Sequence, residues 1–382
     1  MLHSGFRRPF ASAAIIVFLL SGAASAQDAD AVADLLVSLT ERGGGKETKY
    51  ASATTDGGNV VITDFYSRMK NDDADVTLAT IRIVDPVIDA DGGLQASAIT
   101  ADGIAIASRD ANITIATLET KNVHYPSPTL PEKEFIAKTK SAYESVEARE
   151  ILIVSEQKSE VPIARFALSN SEVVDGLAHK VSFVAEGIVV DPGLATDPEA
   201  RERAKALGYD KITLGAAIDA HWDEAANTVN LNRFEFGGKD VGYLKLTAAI
   251  GGITRELALS TSQEDASKYW QNVTLNAMAV SFDNDSIVER VVAQQAVENG
   301  TTPDELINET VTQLPDMMAV LGNPDLAAQA TEALSAFLKA PKNLTLQAKP
   351  EAGVPIVQVA GMAMFAPAAA LDMLKVEITA NK

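Results

Sequence analysis

The chain contains no cysteine. That excludes disulfides, thiolate metal sites, iron–sulfur clusters and cysteine nucleophiles. Aromatic residues make up 5% of the 382 residues, with two tryptophans, too few for the stacking platforms that sugar-cleaving sites usually carry. Basic residues are also short: 32 Lys and Arg stand against 52 Asp and Glu, a net charge of −20. Such a surface repels phosphates, which excludes nucleic acid as an expected partner and disfavours docking on anionic lipid headgroups. Long apolar runs are missing too. The one clear run, Ala11 to Leu20, is half the roughly 20 residues that span a bilayer.

That short run has a context. His3, Arg7 and Arg8 precede it, and Ala24-Ser25-Ala26 follows it. A cationic start, an apolar centre and a small-residue site form the pattern of a secretory signal peptide, with cleavage expected before Gln27. Arg7-Arg8-Pro9-Phe10 holds part of a twin-arginine signal, but the polar flanks are absent and the general secretory route fits better. Removing Arg7 and Arg8 leaves 32 − 2 = 30 basic residues against 52 acidic ones, or −22. An exported, disulfide-free, acidic chain fits a bacterial periplasm. No transmembrane segment is expected after residue 26.

Patterning then places the elements. Asp28 to Arg42 has apolar residues at helical spacing and ends at Gly43-Gly44-Gly45. Period-two segments follow: Tyr50–Thr54, Asn59–Met69, Asp75–Val84, Gly93–Thr100, Gly103–Ser108 and Asn112–Val123. Short turns such as Asn71-Asp72-Asp73 and Asp102-Gly103 separate them, so antiparallel neighbours are expected. The alternation slips in phase within strands, where Val76 and Leu78 give way to Ile81 and Ile83, and Ile113 and Ile115 to Leu118. Slips of this kind bend a sheet.

Prolines at 126, 128 and 131 mark a break, and Glu132 to Arg149 has helical character. Strands resume at Ile151–Val154, Ile163–Val174 and His179–Val190. Asp197-Pro198 opens a helix that closes at Gly208. The Ile212 to Ile250 stretch reads as a three-strand meander with one wet face and a bulge near Asn232-Arg233. On it Leu214 and Leu246 are expected to be buried, and Lys211 and Lys245 to face water. Helices dominate from Asp285: Ser286–Glu298, one opened by Pro303 with a kink or break at Pro315, and one opened by Asn323-Pro324. Leu344–Ala348 and Val354–Met364 read as strands, Pro367–Leu374 as a short helix and Val376–Thr379 as a last strand.

The expected fold class is therefore α+β: β-rich, with a long, curved, mainly antiparallel sheet of meanders and helices grouped in the C-terminal third. The expected division is 1–26 signal peptide, 27–130 N-terminal β-meander lobe with a leading helix, and 131–382 C-terminal β-sheet and helical lobe.

Catalytic motifs fail on spacing. Gly45-Lys46 lacks the phosphate-loop glycine five residues earlier, where Thr40 stands. There is no G-x-S-x-G and no H-E-x-x-H. His124, His179 and His221 lie on separate segments. Asp219 and His221 share a strand face, but no nucleophile accompanies them. Asp72-Asp73-Ala74-Asp75 and Asp89-Ala90-Asp91-Gly92 lack the full calcium-loop spacing, and turn-forming is the commoner role of such residues. No catalytic, cofactor-binding or metal-ligating residue is assigned, and no cofactor is expected.

Two stretches carry a family likeness. Ala206-Leu207-Gly208-Tyr209-Asp210 leads into the meander, and Phe337-Leu338-Lys339-Ala340-Pro341 leads through Leu344-Thr345-Leu346 to Pro350 and Ile378-Thr379-Ala380-Asn381. Together they resemble uncharacterised proteobacterial envelope proteins of the YdgA-like and AsmA-like kind. The resemblance implies a β-rich periplasmic chain with a curved sheet and a part in envelope or lipid homeostasis. It supplies no functional residues. The resulting expectation is a non-enzymatic periplasmic binding or envelope-maintenance protein, holding an apolar, lipid-like ligand on the sheet. A structural module contacting an envelope protein, and a hydrolase, stay open as alternatives.

Overall fold

The computed structural model describes residues 28–70, 74–139, 142–174, 176–194, 197–260 and 267–382. The signal pattern of residues 1–26, the cleavage point at Gln27 and the Asn71-Asp72-Asp73 turn lie outside the described residues. Strands take 47% of the chain, paired antiparallel in an open arrangement, with helices in the C-terminal part, so the α+β, β-rich class holds. Two compact units divide after Ala178. The proline-rich stretch at 125–131 lies inside the first unit.

Unit 1 contains α1 (Ala29–Arg42), β1 (Gly45–Lys49), β2 (Ser52–Asp56), β3 (Asn59–Met69), β4 (Asp75–Val84), β5 (Val87–Ile88), β6 (Leu94–Ala107), β7 (Ala111–Tyr125), α2 (Glu132–Thr139), β8 (Ser145–Ser155) and β9 (Glu160–Val174). Asp28 caps α1 by accepting from Asp30 N, and Gly43 and Gly44 end it. β3 pairs with β1, β2 and β4, and the meander continues β4–β6–β7–β8–β9. Val32, Leu36 and Leu39 of α1 join Val60, Ile62, Phe65, Leu78 and Ile83 in one sealed core. Burial of that area drives the folding of this unit.

Two expectations fail here for tertiary reasons. The helix foreseen over Glu132–Arg149 stops at Thr139, because Val146 and Ala148 pair with Thr120 and Leu118 of β7. A ladder partner overrides the helical preference of Glu147-Ala148-Arg149. Asp102-Gly103 is also no turn. β6 runs straight through it, paired without a shift to β4 and β7.

Asp102-Gly103 instead marks a row that crosses the sheet. Gly103 has φ +63°, Asp64 of β3 has φ +51° and Glu150 of β8 has φ +53°. Their neighbours keep pairing on either side: Thr63 with Thr80, Phe65 with Leu78, Asp102 with Thr117, Ile104 with Ile115, Arg149 with Arg165, Ile151 with Ile163. The row thus runs Asp64, Ala79, Gly103, Ala116, Glu150, Ala164, with a left-handed residue in every second strand. At this row the buried set slips by three: Ile62 then Phe65, Leu78 then Ile81, Ala101 then Ile104, Ala148 then Ile151. The phase slips visible in the sequence are these pleat faults. Each fault turns the next apolar residue back to the same core.

Glu150 bears strain that glycine would relieve, since a left-handed backbone costs an ordinary residue roughly 1–2 kcal/mol. Glu150→Gly is therefore expected to be neutral or slightly stabilising in urea denaturation. Thr114→Gly, on an ordinary exposed strand position of β7, should cost roughly 0.5–1 kcal/mol. A clear loss at Glu150 would show that its backbone is not strained.

Unit 2 takes most of β10 (Leu177–Val190), then α3 (Pro198–Ala206), β11 (Ile212–Asp223), β12 (Thr228–Gly238), β13 (Gly242–Gly251), α4 (Arg255–Leu259), β14 (Thr274–Asn284), α5 (Ile287–Asn299), α6 (Pro303–Met318), α7 (Pro324–Lys339), β15 (Asn343–Ala348), β16 (Val354–Pro355), α8 (Ile356–Phe365), α9 (Pro367–Met373) and β17 (Val376–Ala380). The β11–β12–β13 meander forms as expected. Its bulge falls at Asn232, where Leu231 pairs with Ala220 and Arg233 with Asp219. α6 continues through Pro315 for three residues rather than breaking there. The strand expected over Val354–Met364 is a two-residue bridge followed by α8. β15 is already flanked by β14 and β17, so this segment has no full-length ladder to join. A helix then satisfies its backbone locally.

Candidate functional site

The sheet of unit 2 sorts its side chains by strand register. Residues directly paired across antiparallel strands share a face. One paired row runs Ala185, Ala216, Phe236, Leu244, Phe282, Leu344, Ala380. The next runs Phe183, Ile218, Phe234, Leu246, Val280, Leu346, Ile378. A third begins at Val181 and ends at Val376, and is also apolar throughout. One face is thus aliphatic and aromatic over seven strands.

The opposite face is polar. Glu235, Lys245, Ser281, Thr345 and Thr379 form one row there. Lys245 Nζ donates to Asp283 (2.5 Å) and lies 3.9 Å from Glu235, which also pairs with Arg233 at 3.0 Å. The hydrogen bond to Asp283 holds the Lys245 ammonium above the usual lysine range. Lys245 thus lies on the polar face, as its phase predicts, with its side chain 43% exposed.

Cover on the apolar face is uneven. α7 lies over its β14–β15–β17 end, where Phe337 meets Phe282 edge to face at 6.4 Å. Ala330, Ala333 and Phe337 of α7 are buried there. Toward β11–β13 the cover stops. Phe236 is 44% exposed and Leu244 42%. Leu214 and Leu246, expected to be buried, are only half-buried. The period-two pattern reported their face correctly, but among the described residues no element seals that face as α1 seals unit 1.

A cavity of about 280 Å³ adjoins the covered end, between α5 and α6. Ile287, Val288, Val291, Leu306 and Ile307 line it with Leu338, the residue after Phe337. Gln295 and Thr310 are its only polar lining residues. α5 is anchored by Arg290, which stacks over Tyr209 (4.6 Å) and donates to Leu207 O (2.9 Å). Tyr209 in turn donates to Asp240 O (2.6 Å). The Leu207-Gly208-Tyr209 stretch thus ties α5 to the β12–β13 turn.

Residues 235–381 match a family model whose description is "Uncharacterized protein". The match begins in β12 and takes in the exposed aromatic, the cavity helices and β17. No curated protein matches the chain.

The histidines stay apart. His124 sits on β7, 3.1 Å from Gln95 Nε2. His221 lies on the polar face of β11, paired with Asn230. His179 packs edge-on against Trp222, its ring centre 5.0 Å away. Its Nε2 is 3.3 Å from Glu224, outside hydrogen-bond geometry. Arg255 donates to both Glu224 oxygens at 2.9 and 3.1 Å, so that carboxylate is committed to clamping α4 onto the β11–β12 turn. Glu224 and Arg255 carry no spacing signal, since 31 residues separate them. Asp89 accepts from the backbone of Asp91 and Gly93, a turn role. Lys46 lies on β1, paired with Arg68 of β3. Among the described residues, no three His, Asp or Glu side chains gather as a metal would require.

Proposed function

We propose that this chain is a non-enzymatic periplasmic binding protein that seats an acyl-chain-like apolar ligand on the open part of the unit 2 sheet. The carrying observation is the interrupted cover. The same apolar rows that α7 packs against on β14, β15 and β17, half-buried there, continue across β11–β13 with Phe236 and Leu244 more than two-fifths exposed. An apolar ligand laid along that face would supply the missing burial. The cavity beside Leu338 adds aliphatic lining at the covered end. The signal pattern of residues 1–26 supports a periplasmic address. The resemblance to YdgA-like and AsmA-like envelope proteins supports a lipid-related role.

Titration with a fluorescent long-chain fatty acid tests this reading. Leu244→Asp should weaken probe binding by about tenfold or more, because it sets an unpaired charge against an apolar chain. Thr247→Asp, on the polar face of the same strand, should leave affinity within about twofold. Equal affinities for the two variants, or no probe binding by the unchanged protein, would defeat the proposal.

A further inference from the structure

The other end of unit 2's helical layer carries a second apolar surface, independent of the ligand reading. Met317 is 53% exposed, Val320 81%, Met364 75% and Phe365 86%. Met317 lies in the last turn of α6, and Val320 in the 3-10 turn Ala319–Leu321 that follows it. Met364 and Phe365 end α8. The fold brings these ends together. A Cβ on Gly322 would stand 3.1 Å from the Ala368 Cβ at the start of α9, and Asn323 Nδ2 donates to Asp372 Oδ1.

We infer that this tip docks the protein on an uncharged lipid surface, with Phe365 and Met364 entering the acyl layer. Charge selects the occupant. No Lys or Arg occurs between Arg290 and Lys339, nor between Lys349 and Lys375. The charged residues beside the tip are acids: Asp316, Asp325 and Asp372. An anionic headgroup would be repelled, and a zwitterionic one is not. Hydrogen bonding points the same way. Residues 352–371 hold one side chain able to make a strong hydrogen bond, Gln358, and its amide is already engaged with the sulfurs of Met362 (4.0 Å) and Met373 (3.6 Å). A protein interface normally carries about one hydrogen bond per 100–200 Å². An acyl layer asks for none. At the α8–α9 junction Ala366 N already donates to Met362 O (2.7 Å), and Pro367 has no N–H to strand in lipid. α8 and α9 are too short to cross a bilayer, so the contact is a surface insertion.

The test is flotation of the Gln27–Lys382 protein, which lacks the apolar Ala11–Leu20 run, with phosphatidylcholine vesicles. The unchanged protein should float, and M364E/F365E should lose about tenfold or more of its partitioning. V297E, at an exposed valine on α5 away from the tip, should bind within about twofold of the unchanged protein. The neutral pair M364Q/F365S should also lose binding, which separates lost burial from added charge. Replacing part of the phosphatidylcholine with phosphatidylglycerol should weaken binding. Circular dichroism checks that each variant is folded. Failure of the unchanged protein to float, equal flotation of either double variant, or stronger binding to phosphatidylglycerol vesicles would overturn the inference. So would a protein complex that depends on Met364 and Phe365 while vesicles are ignored. Fatty-acid binding by L244D is read separately, so either proposal can fail alone.

Discussion

Phe65→Ala is expected to destabilise unit 1 by about 3–5 kcal/mol, the usual cost of removing a sealed aromatic. Phe65 is 1% exposed and stands where α1 meets the sheet, in the cluster of Leu36, Ile62 and Leu78. It also follows the pleat fault at Asp64, so it is the first residue that the fault returns to the core. A neighbour cannot readily fill the gap, because Ile62 and Leu78 are fixed by strand pairing on both sides. Phe236→Ala, at an aromatic 44% exposed, should cost under about 1 kcal/mol. The two tryptophans, Trp222 and Trp270, both belong to unit 2. Urea denaturation by circular dichroism reports both units, and tryptophan fluorescence reports unit 2 alone. A loss below about 1 kcal/mol for Phe65→Ala would mean that α1 does not seal the sheet.

The second large effect is at Gly252. Its φ is +78°, and a Cβ there would lie 2.0 Å from Asn272 O, a backbone atom that cannot swing aside. Gly252→Ala should therefore cost roughly 1–2 kcal/mol for the left-handed backbone and roughly 1–3 kcal/mol for the overlap. Gly300→Ala separates the two costs. Gly300 has φ +68° with nothing within 4 Å of its would-be Cβ, so only the first cost applies. The reporter is built in: Trp222 Nε1 donates to Ile253 O at 2.9 Å, one residue past the glycine. Fluorescence-detected unfolding should shift more for Gly252→Ala than for Gly300→Ala. Equal shifts would mean that the backbone of Asn272 yields freely.

Much of this fold was legible where alternation and turn chemistry agree. β3 and β4 occupy the spans expected from period two, and Pro198 opens α3 after its Asp197 cap. The bulge at Asn232 was visible because Leu231 and Phe234 change phase. What alternation cannot carry is the neighbour on the far side of a face. Leu246 and Ile62 have the same sequence signature, yet Ile62 is sealed in the core with α1 and Leu246 is only half-buried. For the same reason the sequence offers a sheet for an apolar ligand but names no residue of the candidate site. Its residues read as core, and only the limited reach of α7 reveals that they are uncovered. Ser145–Arg149 and Ile356–Phe365 were misread because sheet membership depends on which partner edge is free, a property no local window contains.

The pleat faults of unit 1 bear on how its strands find one another. Antiparallel strands of 14 and 15 residues such as β6 and β7 could slide by two residues and keep every side chain on its proper face. The row through Asp64, Gly103 and Glu150 removes that freedom. A slid strand would set a left-handed residue against regular pleat, and Gly103 would no longer stand opposite Ala79, whose Cβ a side chain there would meet at 2.9 Å. The row acts as a key cut across the sheet, which only the correctly aligned strand can enter.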